Sequence, residues 1–219
     1  MHLELSADDV LTTTRSVRKR LDLEKPVDKG VILECVDIAQ QAPTGSNRQG
    51  WQWMIVGDPD KKKAIADFYR TNFEWYAQQP KAEYGADDTR TERKDAVQSS
   101  AWHLGEHFHE VPYLLIPMIE GRLDEGTPTF RQASAWGSLL PAVWSFMLAL
   151  RERGMGSAWT TLHLPNEKEV AELLGIPFDR YTQAGLFPIA YTVGTEFKPA
   201  PRLPASELTH WDTFGHHEL

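Results

Sequence analysis

The 219-residue chain predicts one domain of three-layer α/β or α+β type. Three observations carry that expectation. Apolar runs of strand character, Trp51 to Val56, Val111 to Ile119 and Leu186 to Val193, are separated by segments with helical periodicity. The length supports one sizeable core, and no Gly/Ser-rich or Pro-rich linker interrupts residues 1–219. The longest uncharged stretch, Gln132 to Leu150 between Arg131 and Arg151, contains Gln132, three serines and Pro141. It reads as a buried core helix, because such a polar content suits a protein interior better than lipid.

The elements follow from local chemistry. Ser6-Ala7-Asp8-Asp9 resembles a capping box, and the helix it opens delivers Thr14 to Arg18 at its C-terminal end. Asp28 caps a second helix through Gln41, with Ile32, Cys35, Val36 and Ala39 at helical spacing, and Pro43 ends it. The strand Trp51 to Val56 gives way at Asp58-Pro59 to a charged helix, since proline is harmless in a first turn. Gln78 to Thr91 is a polar excursion or lid, followed by a helix ending near Glu110. A strand over Val111 to Ile119 and the core helix Thr129 to Arg153 come next, with Gly154-Met155-Gly156 as the helix stop. A short strand over Ser157 to Leu162, a helix over Asn166 to Leu174 and the strand Leu186 to Val193 complete the pattern.

A formal charge of −8 and a pI near 5.5 argue against nucleic acid or an anionic membrane as partner. Basic clusters such as Arg15/Arg18/Lys19/Arg20 stand out on that background. The single cysteine, Cys35, forms no intrachain disulfide, and the N-terminus lacks the pattern of a secretory signal, so a cytoplasmic location is expected. Most of the eight tryptophans are expected in the core, while aromatic residues around Phe73 to Tyr76, or Phe130, are candidates to line a pocket for a planar substrate.

Chemistry concentrates in four segments. Thr14-Arg15-Ser16-Val17-Arg18 places two guanidiniums and a hydroxyl within one turn, which suits a phosphate because the arginine fork matches its oxygens. Pro43-Thr44-Gly45-Ser46-Asn47-Arg48-Gln49-Gly50-Trp51 combines small residues with two amides able to donate and accept at the edge of a flat heterocycle. Gly154 to Thr161 joins a glycine-rich helix stop to a strand, and Pro188 to Gly194 with Lys198 and Arg202 forms a last strand and basic tail. The plain alternatives are a basic helix end, a turn, a helix stop and a solvated tail.

Taken in order, the four segments resemble the FMN-dependent nitroreductase family. The resemblance runs from Arg15 to Arg202, with Thr44 in place of the family's usual serine and Gly50 in place of a proline. It implies a mixed central sheet flanked by helices and an intertwined homodimer with FMN at each of two interfaces. Arg15, Ser16, Arg18, Lys198 and Arg202 would then hold the phosphate and ribityl chain. Pro43, Thr44, Gly45, Asn47 and Gln49 would reach the flavin of the other subunit. Backbone N–H groups of the strand end at Thr160 and Thr161 would lie beside flavin N5 and O4. The implied activity is ping-pong transfer of hydride from NADH or NADPH to a small acceptor such as a nitroaromatic or quinone, with no catalytic side chain required. The chain has no G-x-G-x-x-G fingerprint, which is consistent with nicotinamide docking directly on the flavin.

Two other functions compete. One is a flavin-binding protein for storage or sensing, without turnover. The other is a zinc hydrolase at His103-Leu104-Gly105-Glu106-His107, which matches H-x-x-E-H and places both histidines on one helical face. Gly105 weakens that helix and no third ligand is identifiable, so no metal is expected.

Overall fold

The computed structural model describes residues 2–85 and 88–217. Its centre is β3 (Tyr113–Glu120), an apolar strand whose alternate side chains enter two different cores. Leu114, Ile116 and Met118 join Ile65, Tyr69 and Phe73 of α3 (Pro59–Ala77), Leu104 of α4 (Thr89–His107), and Val170 of α6 (Glu167–Leu174). Leu115 and Ile119 join Ile32, Cys35 and Val36 of α2 (Lys29–Ala39) and Leu139, Val143, Phe146 and Leu150 of α5 (Thr129–Glu152). Helices cover both faces of the sheet, which makes the three layers anticipated from strands separated by helices.

β3 pairs antiparallel with β2 (Trp51–Val56) along one edge, and with β5 (Tyr181–Gln183) and β6 (Phe187–Thr192) along the other. The end of β6 also receives β1 (Leu21–Asp22), in the register Leu21 to Thr192, and β4 (Met155–Gly156), in the register Met155 to Tyr191. All these pairings are antiparallel; a parallel step enters at the bridge between Ser16 and Ser157. A short helix α7 (Ala205–Leu208) lies in the C-terminal tail.

The caps foreseen at Ser6, Asp28 and Asp58 form, accepting from the amides of Asp9, Gly30 and Lys61. One local expectation fails with consequences for the site. Helix α1 (Ala7–Thr13) stops at Thr13, and Thr14 is extended with φ −67° and ψ 126°. Arg15 to Arg18 therefore do not share a helical turn. Three consecutive β-branched residues, Thr12, Thr13 and Thr14, bond their hydroxyls back to the carbonyls of Asp8, Asp9 and Val10, and such residues are poor helix continuers. The segment runs on in extended form, and the Val17 amide donates to the Ser157 carbonyl at 2.8 Å.

Helix α5 is long and apolar enough to cross a membrane by length and composition alone, but it serves here as a core helix against α2, β3 and β4. Gly154 ends the chain's excursion from it at φ +68°. Gly156 has a different role. A Cβ there would stand 2.8 Å from Thr192 Cγ2 and 2.9 Å from Val17 Cβ, so the absence of a side chain lets the 14–18 segment lie against β4 and β6.

Behind β5 a polar network is buried. Arg122 donates to Glu167 and to the Tyr181 carbonyl, Gln183 donates to the Glu167 carbonyl, and Gln183 Oε1 meets His163 Nε2 at 3.2 Å. His163 is fully buried and its Nδ1 has no partner, so burial holds its pKa down to about 4.

Two expectations follow. Gly156→Val should cost about 1–3 kcal/mol through overpacking, read as a lower urea midpoint. Because His163 is depressed in the fold from an ordinary 6.5, the unfolded chain binds the extra proton, and stability falls as pH drops from about 6.5 towards 4. At pH 5 this one group removes on the order of 2 kcal/mol relative to pH 7, and a His163→Gln variant should show a correspondingly smaller loss in urea unfolding at the two pH values.

Candidate functional site

The Ser16–Ser157 bridge brings the first and third sequence segments together, and the tail completes the arrangement. Arg20 fixes the tail. Its Nε donates to the Val193 carbonyl and its Nη1 to the Glu196 carbonyl, both at 2.9 Å, while its guanidinium stacks 4.0 Å above Phe197. Lys198 and Arg202 are thereby returned to the mouth of a groove whose floor includes Arg15, Ser16 and Arg18. The end of α3, residues through Tyr84, and one face of α4 form the opposite wall. The groove, open to solvent, has a volume of about 1270 Å³.

Its electrostatics are one-sided. Ten described lining residues are Lys or Arg and one, Glu196, is acidic, in a chain whose overall charge is −8. Burial pushes the Arg15 pKa down, and the neighbouring charges of Arg202 and Arg93 push it further. Burial also lowers that of Arg18, whose Nη1 donates to Ser100 Oγ at 3.3 Å. Among the described residues neither Arg15, Arg18 nor Arg202 has a carboxylate partner. Like charges held together in partial burial favour an anion between them. A small recess at the floor, lined by Thr14, Arg15, Met147 and Ser157, contains a second incomplete group: Ser157 Oγ is buried and has no hydrogen-bond partner.

The structure thus brings together Arg15, Ser16, Arg18, Lys198 and Arg202. It places the other candidates elsewhere. The Thr160 hydroxyl donates to the Leu186 carbonyl, and Trp159, rather than Thr160 or Thr161, lines the groove. Phe73 and Tyr76 line it as well, whereas Phe130 is exposed near the start of α5. Of the tryptophans, Trp51 is buried, but Trp75 and Trp144 are exposed, both beside or within the groove wall rather than in the core.

The Pro43 to Gln49 loop lies outside the groove of its own chain. The Gly45 amide donates to Ser138 Oγ at 3.0 Å, and a Cβ on Gly45 would fall 2.7 Å from Ser134 Oγ, so the loop is pressed onto the first half of α5. Met147, which does reach the groove, is nine residues further along the helix, about 13 Å at 1.5 Å per residue. Ser46, Asn47 and Gln49 all have left-handed backbone, with φ of 53°, 52° and 50°, and Gln49 Nε2 donates to Asn47 Oδ1 at 2.9 Å. Their amides are exposed and displayed together, away from the phosphate-type cluster.

The H-x-x-E-H segment forms a helical face with the His103 and His107 rings 4.4 Å apart. His107 Nδ1 is engaged by Glu110 at 2.9 Å. Among the described residues no group of three or more His, Cys, Asp or Glu is assembled to hold a metal. Sequence reasoning missed Arg93, Lys94 and the serines of α4; the available signal was the largely polar and charged stretch from Thr89 to Ser100.

A groove rich in cations against a glycine-relieved sheet end, in a three-layer domain, defines a candidate anion-binding site, and comparison with known proteins identifies the fold. The profile of the Nitroreductase family matches residues 11–191, and the chain belongs to that family. It is 27% identical over 206 residues to an iodotyrosine deiodinase of Thermotoga neapolitana, covering 93% of this chain and 97% of the relative. Among solved structures, an oxidized iodotyrosine deiodinase bound to FMN and 3-iodo-L-tyrosine superposes with a TM-score of 0.66 at 25% identity, covering 90% of this chain and 93% of that one. An FMN- and NADPH-dependent nitroreductase from sphigopyxis sp. strain HMH shares the fold, with a TM-score of 0.68 at 21% identity over 96% of this chain and all of that one.

Proposed function

We propose that the protein is an FMN-dependent oxidoreductase, taking hydride from NADH or NADPH and delivering it to a small acceptor such as a nitroaromatic or quinone. The observation that carries this reading is the groove lined by Arg15, Arg18 and Arg202, short of counter-charge, which shares Arg15 with a recess where the buried Ser157 hydroxyl has no partner. Such a set fits one terminal phosphate and a polyhydroxyl chain. FMN, when bound, supplies the hydride-carrying centre.

The chain's own residues bind, orient and shield. Arg15, Ser16, Arg18, Lys198 and Arg202 would grip the phosphate and ribityl oxygens, with Ser157 completing its hydrogen bond at the floor. Trp159, Phe73 and Tyr76 offer apolar walls against which flat substrates stack. No side chain is assigned as proton donor. The similarity to an iodotyrosine deiodinase over nearly the whole chain adds iodinated phenols to the acceptors to be tried. A binding protein without turnover is separated from the enzyme by adding NADH or NADPH: bleaching of the flavin absorbance identifies the enzyme.

The Pro43 to Gln49 loop acts, in this reading, on a second copy of the chain. Two observations support a homodimer. Less than half of the apolar window of α5 is buried within one chain, and the tail exposes Leu203, Leu208, Trp211 and Phe214. The loop's displayed amides then meet the flavin of the partner.

The purified protein is expected to be yellow and to release FMN rather than FAD; a colourless protein that takes up no added FMN would sink the reading. Arg18→Ala and Arg202→Ala each remove a charge-assisted bond worth about 1.5–3 kcal/mol, so FMN affinity measured by fluorescence quenching should fall at least about tenfold while the fold persists. FMN should also tighten dimerisation by the factor by which dimerisation tightens FMN binding. Asn47→Ala should weaken both, as read by sedimentation velocity with and without FMN, whereas a monomer binding FMN at full affinity would exclude the shared site.

A further inference from the structure

Helix α4 meets the groove along one stripe. Arg93, Val97 and Ser100 recur at i, i+4 and i+7, and all three line the groove with Ala96 beside them. The register of that stripe is set by the phosphate-type segment itself. Arg18 Nη1 donates to Ser100 Oγ at 3.3 Å, and Lys19 Nζ donates to Ser99 Oγ at 2.7 Å. Arg93 therefore stands on the same face two turns earlier, about 10 Å along the axis.

Arg15 and Arg202 line the same groove as Arg93. The charges of Arg93 and Arg202 act on Arg15 in addition to its burial, so guanidiniums from three remote segments share one space. Nearby Arg90 is differently employed: it grips Asp88 through two nitrogens and stacks 4.1 Å over Tyr84. Arg93 forms no side-chain ion pair among the described residues. Three mutually repelling cations around one groove are offset best by an anion of more than one charge, which a phosphate monoester provides and a single carboxylate does not.

We propose that Arg93 is a further ligand of the cofactor phosphate, carried on the wall of the groove, so that the bound phosphate draws the first half of α4 down over the site. The inference rests on the FMN reading above and extends it. It makes order in α4 dependent on the phosphorylated form of the flavin. Riboflavin, which has the same ring and ribityl chain, would leave α4 as it is without ligand.

The test compares FMN with riboflavin on wild type, Arg93→Met and Arg93→Lys, using dissociation constants from flavin fluorescence and hydrogen exchange of residues 89–98. Arg93 is exposed, so the variants should fold. Arg93→Met is expected to weaken FMN about tenfold, as for loss of a charge-assisted bond, and to leave riboflavin within about twofold. FMN but not riboflavin should slow exchange in 89–98 of wild type, Arg93→Met should abolish that protection, and Arg93→Lys should restore part of it. Equal losses for both flavins, or no loss, overturn the proposal. So does unchanged FMN affinity with a raised KM for anionic acceptors or NADPH, which would assign Arg93 to a substrate instead. If wild type binds neither flavin, the cofactor reading falls and takes this inference with it.

Discussion

Repulsion among a few guanidiniums is the constraint around which the rest of the structure is arranged. Arg15, Arg93 and Arg202 arrive from an N-terminal loop, a helix and a C-terminal tail, and nothing in their own segments compels them to meet. The sheet does the compelling. Val17 lies on Gly156, Ser16 bridges Ser157, and the Arg20 guanidinium ties down the tail at Val193 and Glu196. Burial of apolar surface on both faces of β3 supplies the favourable free energy against which such crowding can persist, since net stability is the small remainder of large terms. A fold that gathers like charges around one groove is prepared for a multiply charged ligand before it arrives.

The division of labour between the two layers of helices is clear from the same viewpoint. Helices α2 and α5 pack tightly on one face and carry the loop with the strained backbone at Ser46, Asn47 and Gln49. Helices α3 and α4 cover the other face, but the first half of α4 keeps no buried residue among the described ones, and the basic segment ties the helix only past its midpoint, at Ser99 and Ser100. One layer is thus a frame and the other an adjustable wall. Local stability follows buried apolar contact, so the wall is where ligand-dependent ordering is cheapest.

Sequence patterns made much of this legible. β2 and the ends of α3 and α5 coincide with the residues expected from Asp58-Pro59, Thr129 and Gly154, because capping and left-handed glycine are local effects. The Arg15/Ser16/Arg18 and Lys198/Arg202 segments were visible as cations out of place in an acidic chain. Their backbone was not: threonines at 12 to 14 broke the helix that charge spacing alone had extended to Arg18. β1 and β5 escaped notice because two or three residues carry no periodicity, and the short strand expected over Ser157 to Leu162 forms earlier, as β4, leaving only bridges at Ser157 and Thr160. Arg93 escaped for a similar reason, since its significance lies in a long-range juxtaposition that a polar helix does not advertise.

The dependence of β1 and β4 on β6 also orders events during synthesis. Leu21 and Met155 acquire their strand partners only when Tyr191 and Thr192 exist, and the tail that carries Arg202 is made later still. Most of the chain therefore leaves the ribosome with its N-terminal cationic segment unanchored and the last strand position of its sheet vacant. Contacts of such sequence separation close slowly. The cationic groove is consequently assembled only after β6 and Arg202 have been made, and loss of β6 should deprive the first twenty residues of their place.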